Sequence, residues 1–84
     1  MNKYHGIPFI DLHGFDRNSA VLFVSDFIKD SLKMGNYKIY IIHGMGKGIL
    51  KKEVHSFLSK NKSVKNFKVD FFNIGCTFVE LYKS

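Results

Sequence analysis

Cysteine, proline and tryptophan are nearly missing from this 84-residue chain: it has one Cys, one Pro and no Trp. A lone thiol, Cys76, cannot close an internal disulfide, so the fold has to rest on a packed core and suits a reducing compartment. No apolar run approaches the ~18 residues of a membrane span, and no signal peptide is expected at the start. Those absences point to a cytoplasmic protein with no membrane partner. Three ligands at metal spacing do not occur either, which argues against a structural zinc site. With a single Pro and no low-complexity stretch, disorder is not expected.

What the chain does have is apolar and aromatic residues. Hydrophobic content is 45%, with nine Phe and four Tyr. At this length one domain is expected, residues 1–84 with a core of about 9–82. The net charge is +6, and its placement is uneven. Residues 1–36 balance four basic against four acidic side chains, whereas residues 37–84 carry nine Lys and only three acids. A concentrated basic surface favours polyanionic partners through counterion release. The plainer alternative is a solvated basic surface.

The hydrophobic pattern gives six elements. Residues 7–12 read as a strand with Pro8 near its start or on an edge. Asp16 is placed to cap a helix from Arg17 to Lys33, whose apolar positions Ala20, Phe23, Val24, Phe27, Ile28 and Leu32 keep helical spacing. Gly35 suits a left-handed end to that helix. Tyr37 to Ile42 reads as a buried strand. Leu50, Val54, Phe57 and Leu58 define a second helix ending near Lys60. Phe67–Phe72 and Thr77–Tyr82 read as a hairpin turning on Asn73 to Cys76. The order β-α-β-α-β-β with right-handed crossovers predicts an α/β two-layer sandwich, two helices on one face of a mixed four-stranded sheet. The other face is left for a partner or an exposed aromatic patch.

Two strands end in His-Gly pairs: Phe9-Ile10-Asp11-Leu12-His13-Gly14, and Ile39-Tyr40-Ile41-Ile42-His43-Gly44-Met45-Gly46-Lys47-Gly48. As parallel neighbours they would gather Asp11, His13, His43 and a glycine-rich loop at one sheet edge. Glycines before a helix start allow close backbone approach to a phosphate, and the helix offers free N–H groups. The loop fits neither a Walker A motif nor the dinucleotide fingerprint. Glycines at such a junction also serve simply to make the turn. Lys51 and Lys52 fall in the first turn of the second helix, where the macrodipole disfavours cations and a bound anion would relieve the conflict. Asp11 and His13 alternate on one strand face. The acid can orient the imidazole, or bind a divalent ion, or merely cap a turn. His5 and His55 read as terminal and helix-surface residues, and Cys76 as a small buried side chain.

These motifs resemble the Smr (small MutS-related) domain family. The matching segments are Ile10 to Gly14, Ile41 to Val54, Val64 to Phe67 and Thr77 to Leu81, so the resemblance covers about residues 9–81. It implies a nucleic-acid-binding domain, often an endonuclease, some members nicking DNA and others cleaving RNA, including messenger RNA on ribosomes. It places Asp11 and His13 in cleavage, and His43, Gly44, Gly46 and Gly48 in binding or catalysis. It also implies a fold similar to the C-terminal domain of translation initiation factor 3. Two departures stand out. Where the family often has Gly-Gly-x-Gly-x-Thr, this chain has Asn73-Ile74-Gly75-Cys76-Thr77, and Lys47 replaces a small polar residue. No MutS-like ATPase or clamp region is expected, so the chain reads as a stand-alone Smr protein or an excised domain.

Three functions follow as expectations. The favoured one is a nuclease acting on RNA without a cofactor, with Asp11, His13 and His43 catalytic and Gly44, Gly46, Lys47, Gly48, Lys51 and Lys52 binding nucleic acid. The second is a metal-assisted nuclease that nicks DNA, using Mg2+ or Mn2+ at Asp11. The third is a non-catalytic module that docks on nucleic acid or the ribosome.

Overall fold

The computed structural model describes residues 6–83. Along the chain run β1 (Phe9–Asp11), α1 (Arg17–Lys33), β2 (Lys38–Ile42), α2 (Ile49–Lys60), β3 (Val64–Val69) and β4 (Cys76–Leu81). The sheet order is β1-β2-β4-β3. β1 pairs parallel with β2, and β4 runs antiparallel to both β2 and β3. The expected mixed four-stranded sheet under two helices is therefore the fold.

Alternation along the strands sorts the two faces. Ile39 and Ile41 of β2, and Thr77, Val79 and Leu81 of β4, are buried. With Leu12 at the end of β1, the apolar members of this set meet Ala20, Val24 and Ile28 of α1 and Val54 and Leu58 of α2 in one core. The opposite face carries Phe9, Asp11, Lys38, Tyr40, Ile42, Asn66, Lys68, Phe78 and Glu80, with Tyr40 and Phe78 rings 5.3 Å apart. No helix covers it.

Local signals place the helix ends where the sequence does. The Asp16 carboxylate accepts the Ser19 N–H at 2.7 Å, capping α1. Gly35, at φ 77°, closes the other end as a Schellman turn: its N–H donates to Leu32 O, and that of Asn36 donates to Ser31 O at 2.8 Å.

β2 and β4 lie within one residue of their expected bounds, and the other two strands differ more. β1 is only three residues long, although the Pro8 carbonyl extends its pairing by accepting the Tyr40 N–H. The expected strand Phe67–Phe72 is displaced to Val64–Val69. At its start, the Asn61 carbonyl accepts the Val64 N–H and aims the chain straight into the sheet. At its end, the Asp70 carboxylate accepts the N–H groups of Phe72 and Asn73 and turns the chain out of the ladder. The Asp70 N–H still donates to Cys76 O, so the hairpin holds while Phe71 and Phe72 stand in its loop.

Candidate functional site

Parallel pairing of Asp11 with Ile42 sets the ends of β1 and β2 side by side, about 4.8 Å apart. Three loops therefore share one sheet edge: the Leu12–Phe15 turn, the His43–Gly48 loop and residues 70–75. Gly75 ties two of them together, because its carbonyl accepts the N–H groups of both His43 and Gly44 at 2.9 Å. The approach is close. A Cβ on Gly75 would lie 3.2 Å from the Gly44 carbonyl carbon and 3.1 Å from Met45 Cγ. The one glycine this chain keeps in that segment is thus the one that packs backbone against the His-Gly corner.

The second corner forms a shallow pocket of about 240 Å³ lined by His43, Gly44, Gly46, Lys47, Gly48, Ile49 and Leu50. Gly44 and Gly48 both adopt positive φ, at 82° and 77°. Gly48 is the N-cap of α2, so no side chain caps the helix, and its first turn contains no acid. Free N–H groups and the positive end of the helix dipole therefore open onto the loop. Lys47 is exposed and Lys51 half-buried, with Lys52 exposed one position on.

His43 is buried, 5% exposed, and both ring nitrogens are engaged. Nδ1 lies 3.0 Å from Gly44 O, an acceptor only, so Nδ1 carries the proton. Nε2 of the neutral ring then accepts from the Thr77 hydroxyl at 2.7 Å. Thr77 in turn accepts from Nε2–H of His55, also at 2.7 Å. The chain His55–Thr77–His43–Gly44 runs from α2 through β4 to the glycine loop. Burial pushes the His43 imidazole below its usual range; the Gly44 carbonyl opposes this, and the Lys51 charge adds to it. His55 is lowered too, by burial first and then by repulsion from His43 and Lys51. These shifts favour the neutral rings that the hydrogen-bond directions require.

The first corner is built differently. Asp11 is exposed, on the sheet face opposite the buried His43 ring. Its carboxylate accepts the backbone N–H of His13 at 2.9 Å. The acid therefore fixes the turn rather than the imidazole, and the His13 side chain stands exposed at the edge. Gly14 follows at φ 85°. Among the described residues no group of three His, Cys, Asp or Glu side chains is placed to hold a metal ion.

Two residues of this network were not singled out from the sequence. Thr77 is a polar side chain on the apolar face of β4, a pattern that signals a buried hydrogen bond. His55 corrects the expectation of a helix-surface residue. It is half-buried, edge-on to the Phe67 ring at 5.0 Å, because α2 lies across the β3–β4 hairpin. His5 lies outside the described residues.

A two-layer α/β domain whose parallel strands end in adjoining His-Gly corners is the class this architecture defines. Residues 10–82 match the Smr domain family. The chain belongs to that family. Endonuclease MutS2 of Geobacillus sp. (strain WCH70) is 41% identical over 81 residues, 93% of this chain and 10% of the relative. Endonuclease MutS2 of Brevibacillus brevis is 33% identical over 75 residues, again 10% of the relative. The chain thus spans about a tenth of the length of these relatives. The crystal structure of the Smr domain of Thermus thermophilus MutS2 superposes with a TM-score of 0.88 at 25% identity, over 90% of this chain and 99% of that one. YdaL, a stand-alone small MutS-related protein from Escherichia coli, shares the fold: TM-score 0.84, 23% identity, 89% of this chain and 64% of that one. Among the described residues no helix is long and apolar enough to cross a membrane.

Proposed function

We propose that this domain binds the sugar-phosphate backbone of nucleic acid at the second corner and cleaves a phosphodiester bond there, RNA being the favoured substrate. The observation that carries the reading is an uncapped helix start behind a two-fold positive-φ loop, with Lys47, Lys51 and Lys52 beside it, on the same sheet edge as Asp11 and His13. The likeness to enzymes named endonuclease MutS2 supports nuclease chemistry. The choice of RNA rests on the family resemblance.

In this reading the loop N–H groups hold the non-bridging phosphate oxygens and stabilise the charge that builds on them. His13, exposed, takes the proton of a ribose 2′-OH as general base. The 2′-oxygen attacks the adjacent phosphorus, the bond to the 5′-oxygen breaks, and that oxygen takes a proton from solvent. Asp11 sets the His13 turn. His43, with both nitrogens engaged, shapes the loop as a positioning residue. Divalent Mg2+ or Mn2+ at Asp11 belongs to the alternative chemistry, and activity in EDTA separates the two.

A second reading, a docking module for nucleic acid or the ribosome without catalysis, is favoured by one observation: Asp11 engages the His13 backbone and not its ring. Labelled RNA and DNA incubated with the protein, with and without EDTA, followed by analysis of product ends, decides the matter. Ends with 2′,3′-cyclic phosphate and 5′-OH in EDTA are expected. Ends with 5′-phosphate and 3′-OH overturn this mechanism, and no cleavage at all leaves the docking reading.

A further inference from the structure

Phe71 and Phe72 are 88% and 92% exposed, more than any other large apolar side chain among the described residues. Such exposure is unfavourable in water and marks a candidate contact surface. The backbone that carries the rings is held. The Asp70 carboxylate fixes the Phe72 and Asn73 N–H groups at 3.1 and 3.0 Å, and Asn73 Oδ1 accepts the Gly75 N–H at 3.0 Å. The two rings meet edge to face, centroids 5.0 Å apart. Behind them a cleft of about 360 Å³ runs onto the uncovered sheet face, lined by Tyr40, Lys68, Asp70 and Phe78.

We infer that the Phe71–Phe72 loop and this cleft stack the unpaired bases of a nucleic-acid strand whose backbone is held at the glycine loop, so that the substrate is single-stranded or locally unpaired. The inference rests on the nucleic-acid reading above and names the substrate class for that site. Three observations select this occupant. The aromatic loop is continuous with the phosphate loop, since Gly75 accepts from His43 and Gly44. Phe72 is three residues from Gly75, at most ~10 Å of chain, a few steps of a strand rising 3.4 Å per stacked nucleotide. Cations for a backbone are present: Lys38 and Lys68 lie on the open face, and two of its acids are turned to hydrogen bonds, Glu80 with Asn66 Nδ2–H and Asp70 with the loop N–H groups. Asp11, the third, lies at the far edge on β1 and is engaged by the His13 N–H. Finally, a duplex hides base faces in its stack, whereas an unpaired base offers one to each exposed ring. Sequence-tolerant stacking on aromatics beside a basic track is how single strands are held.

The experiment measures affinity by fluorescence anisotropy for a labelled single strand, its duplex, and the same strand with abasic positions. The proteins compared are wild type, F71A/F72A and F71L/F72L. Both side chains are exposed, so folding should be unchanged, and thermal unfolding checks this. The expected result is a loss of at least about tenfold for the single strand in F71A/F72A, with duplex affinity changed less than about twofold. F71L/F72L should lose similarly, because leucine keeps apolar area but has no π face. The abasic strand should bind wild type as weakly as the intact strand binds F71A/F72A. Unchanged single-strand affinity in F71A/F72A, full retention by F71L/F72L, or equal binding of the abasic strand overturns the inference and leaves backbone binding standing. Sedimentation of wild type with phosphatidylserine vesicles, abolished by F71A/F72A, alongside no single-strand preference, also overturns it. Failure of wild type to bind any of the three nucleic acids overturns this inference and the nucleic-acid reading together.

Discussion

The Thr77 hydroxyl donates to Nε2 of His43 at 2.7 Å, a side-chain bond that ties the core of the sheet to the glycine loop. His43 passes the constraint on through Nδ1–H to Gly44 O. His55 holds the hydroxyl in orientation from the other side, at 2.7 Å. If the loop accepts an anion, as proposed, it gains from such fixing, because its N–H groups are then aimed before the anion arrives.

Substituting T77V tests that linkage. Valine keeps the shape but leaves His43 Nε2 without its donor and His55 without its acceptor. Burying unsatisfied groups of this kind costs about 1–3 kcal/mol. T77V should therefore unfold at lower denaturant concentration with an unchanged m-value, and T77S should recover most of the loss. Equal stability of T77V and wild type in urea titrations would show the network to be incidental.

Acid should weaken the same network. Both His43 and His55 have folded-state pKa values below the ordinary histidine value of 6.5. The unfolded chain then binds more protons below that value, so stability is complete above it and falls as pH drops from 6.5 toward the folded-state values. Thermal unfolding from pH 7.5 to 5.5 should show a falling Tm. H55Q, which removes one of the two titrating rings, should show a shallower fall. A Tm that rises on acidification across this window contradicts the neutral assignment.

Much of this was legible in the sequence because it is governed by short-range rules. Asp16 and Gly35 mark the ends of α1 through capping chemistry that acts within a few residues. The two His-Gly corners and their adjacency follow from β-α-β connectivity. What escaped depends on contacts distant in sequence. His55 and Thr77 are 22 residues apart and meet only because α2 crosses the hairpin. The displaced β3 is a different failure. Phe71 and Phe72 have high strand propensity, yet the carboxylate of Asp70 wins by satisfying two loop N–H groups. The division of the site across the sheet, Asp11 on one face and His43 on the other, was hidden because strand alternation gives opposite faces only once the register is known.

Gly48 should be a restrictive position in the loop. Its φ of 77° lies in the left-handed region, where an alanine costs about 1–2 kcal/mol. No neighbouring atom lies within 4 Å of an added Cβ, so the penalty is conformational and not steric. G48A should lower stability by that amount, and G48N by less, since asparagine tolerates this region. Guanidinium titrations of the pair make the comparison.

The lysines around the second corner should report through salt. If Lys47, Lys51 and Lys52 neutralise backbone phosphates, each alanine substitution should weaken binding without changing sequence preference. The slope of log K against log salt for a single strand should become shallower by about 0.7 for each lysine lost. Lys29, on the outer surface of α1, serves as the control, and K29A should leave the slope unchanged. A triple variant with the wild-type slope removes the glycine corner from the interface.

Asp11 and His13 should separate binding from cleavage. Neither belongs to the glycine pocket, so D11N and H13A should keep the wild-type affinity for nucleic acid within about twofold. H13A removes the exposed imidazole and should lower the cleavage rate by ~100-fold or more, the range of general base catalysis. D11N keeps an amide oxygen to accept the His13 N–H now bound at 2.9 Å. If the acid serves only to set the turn, D11N should retain most activity, while D11A, which loses the acceptor, should not. If D11N falls as far as H13A, the charge itself is used and a divalent ion at Asp11 becomes the better account. Rates for the three variants in EDTA and in Mg2+, on one labelled RNA, distinguish these outcomes.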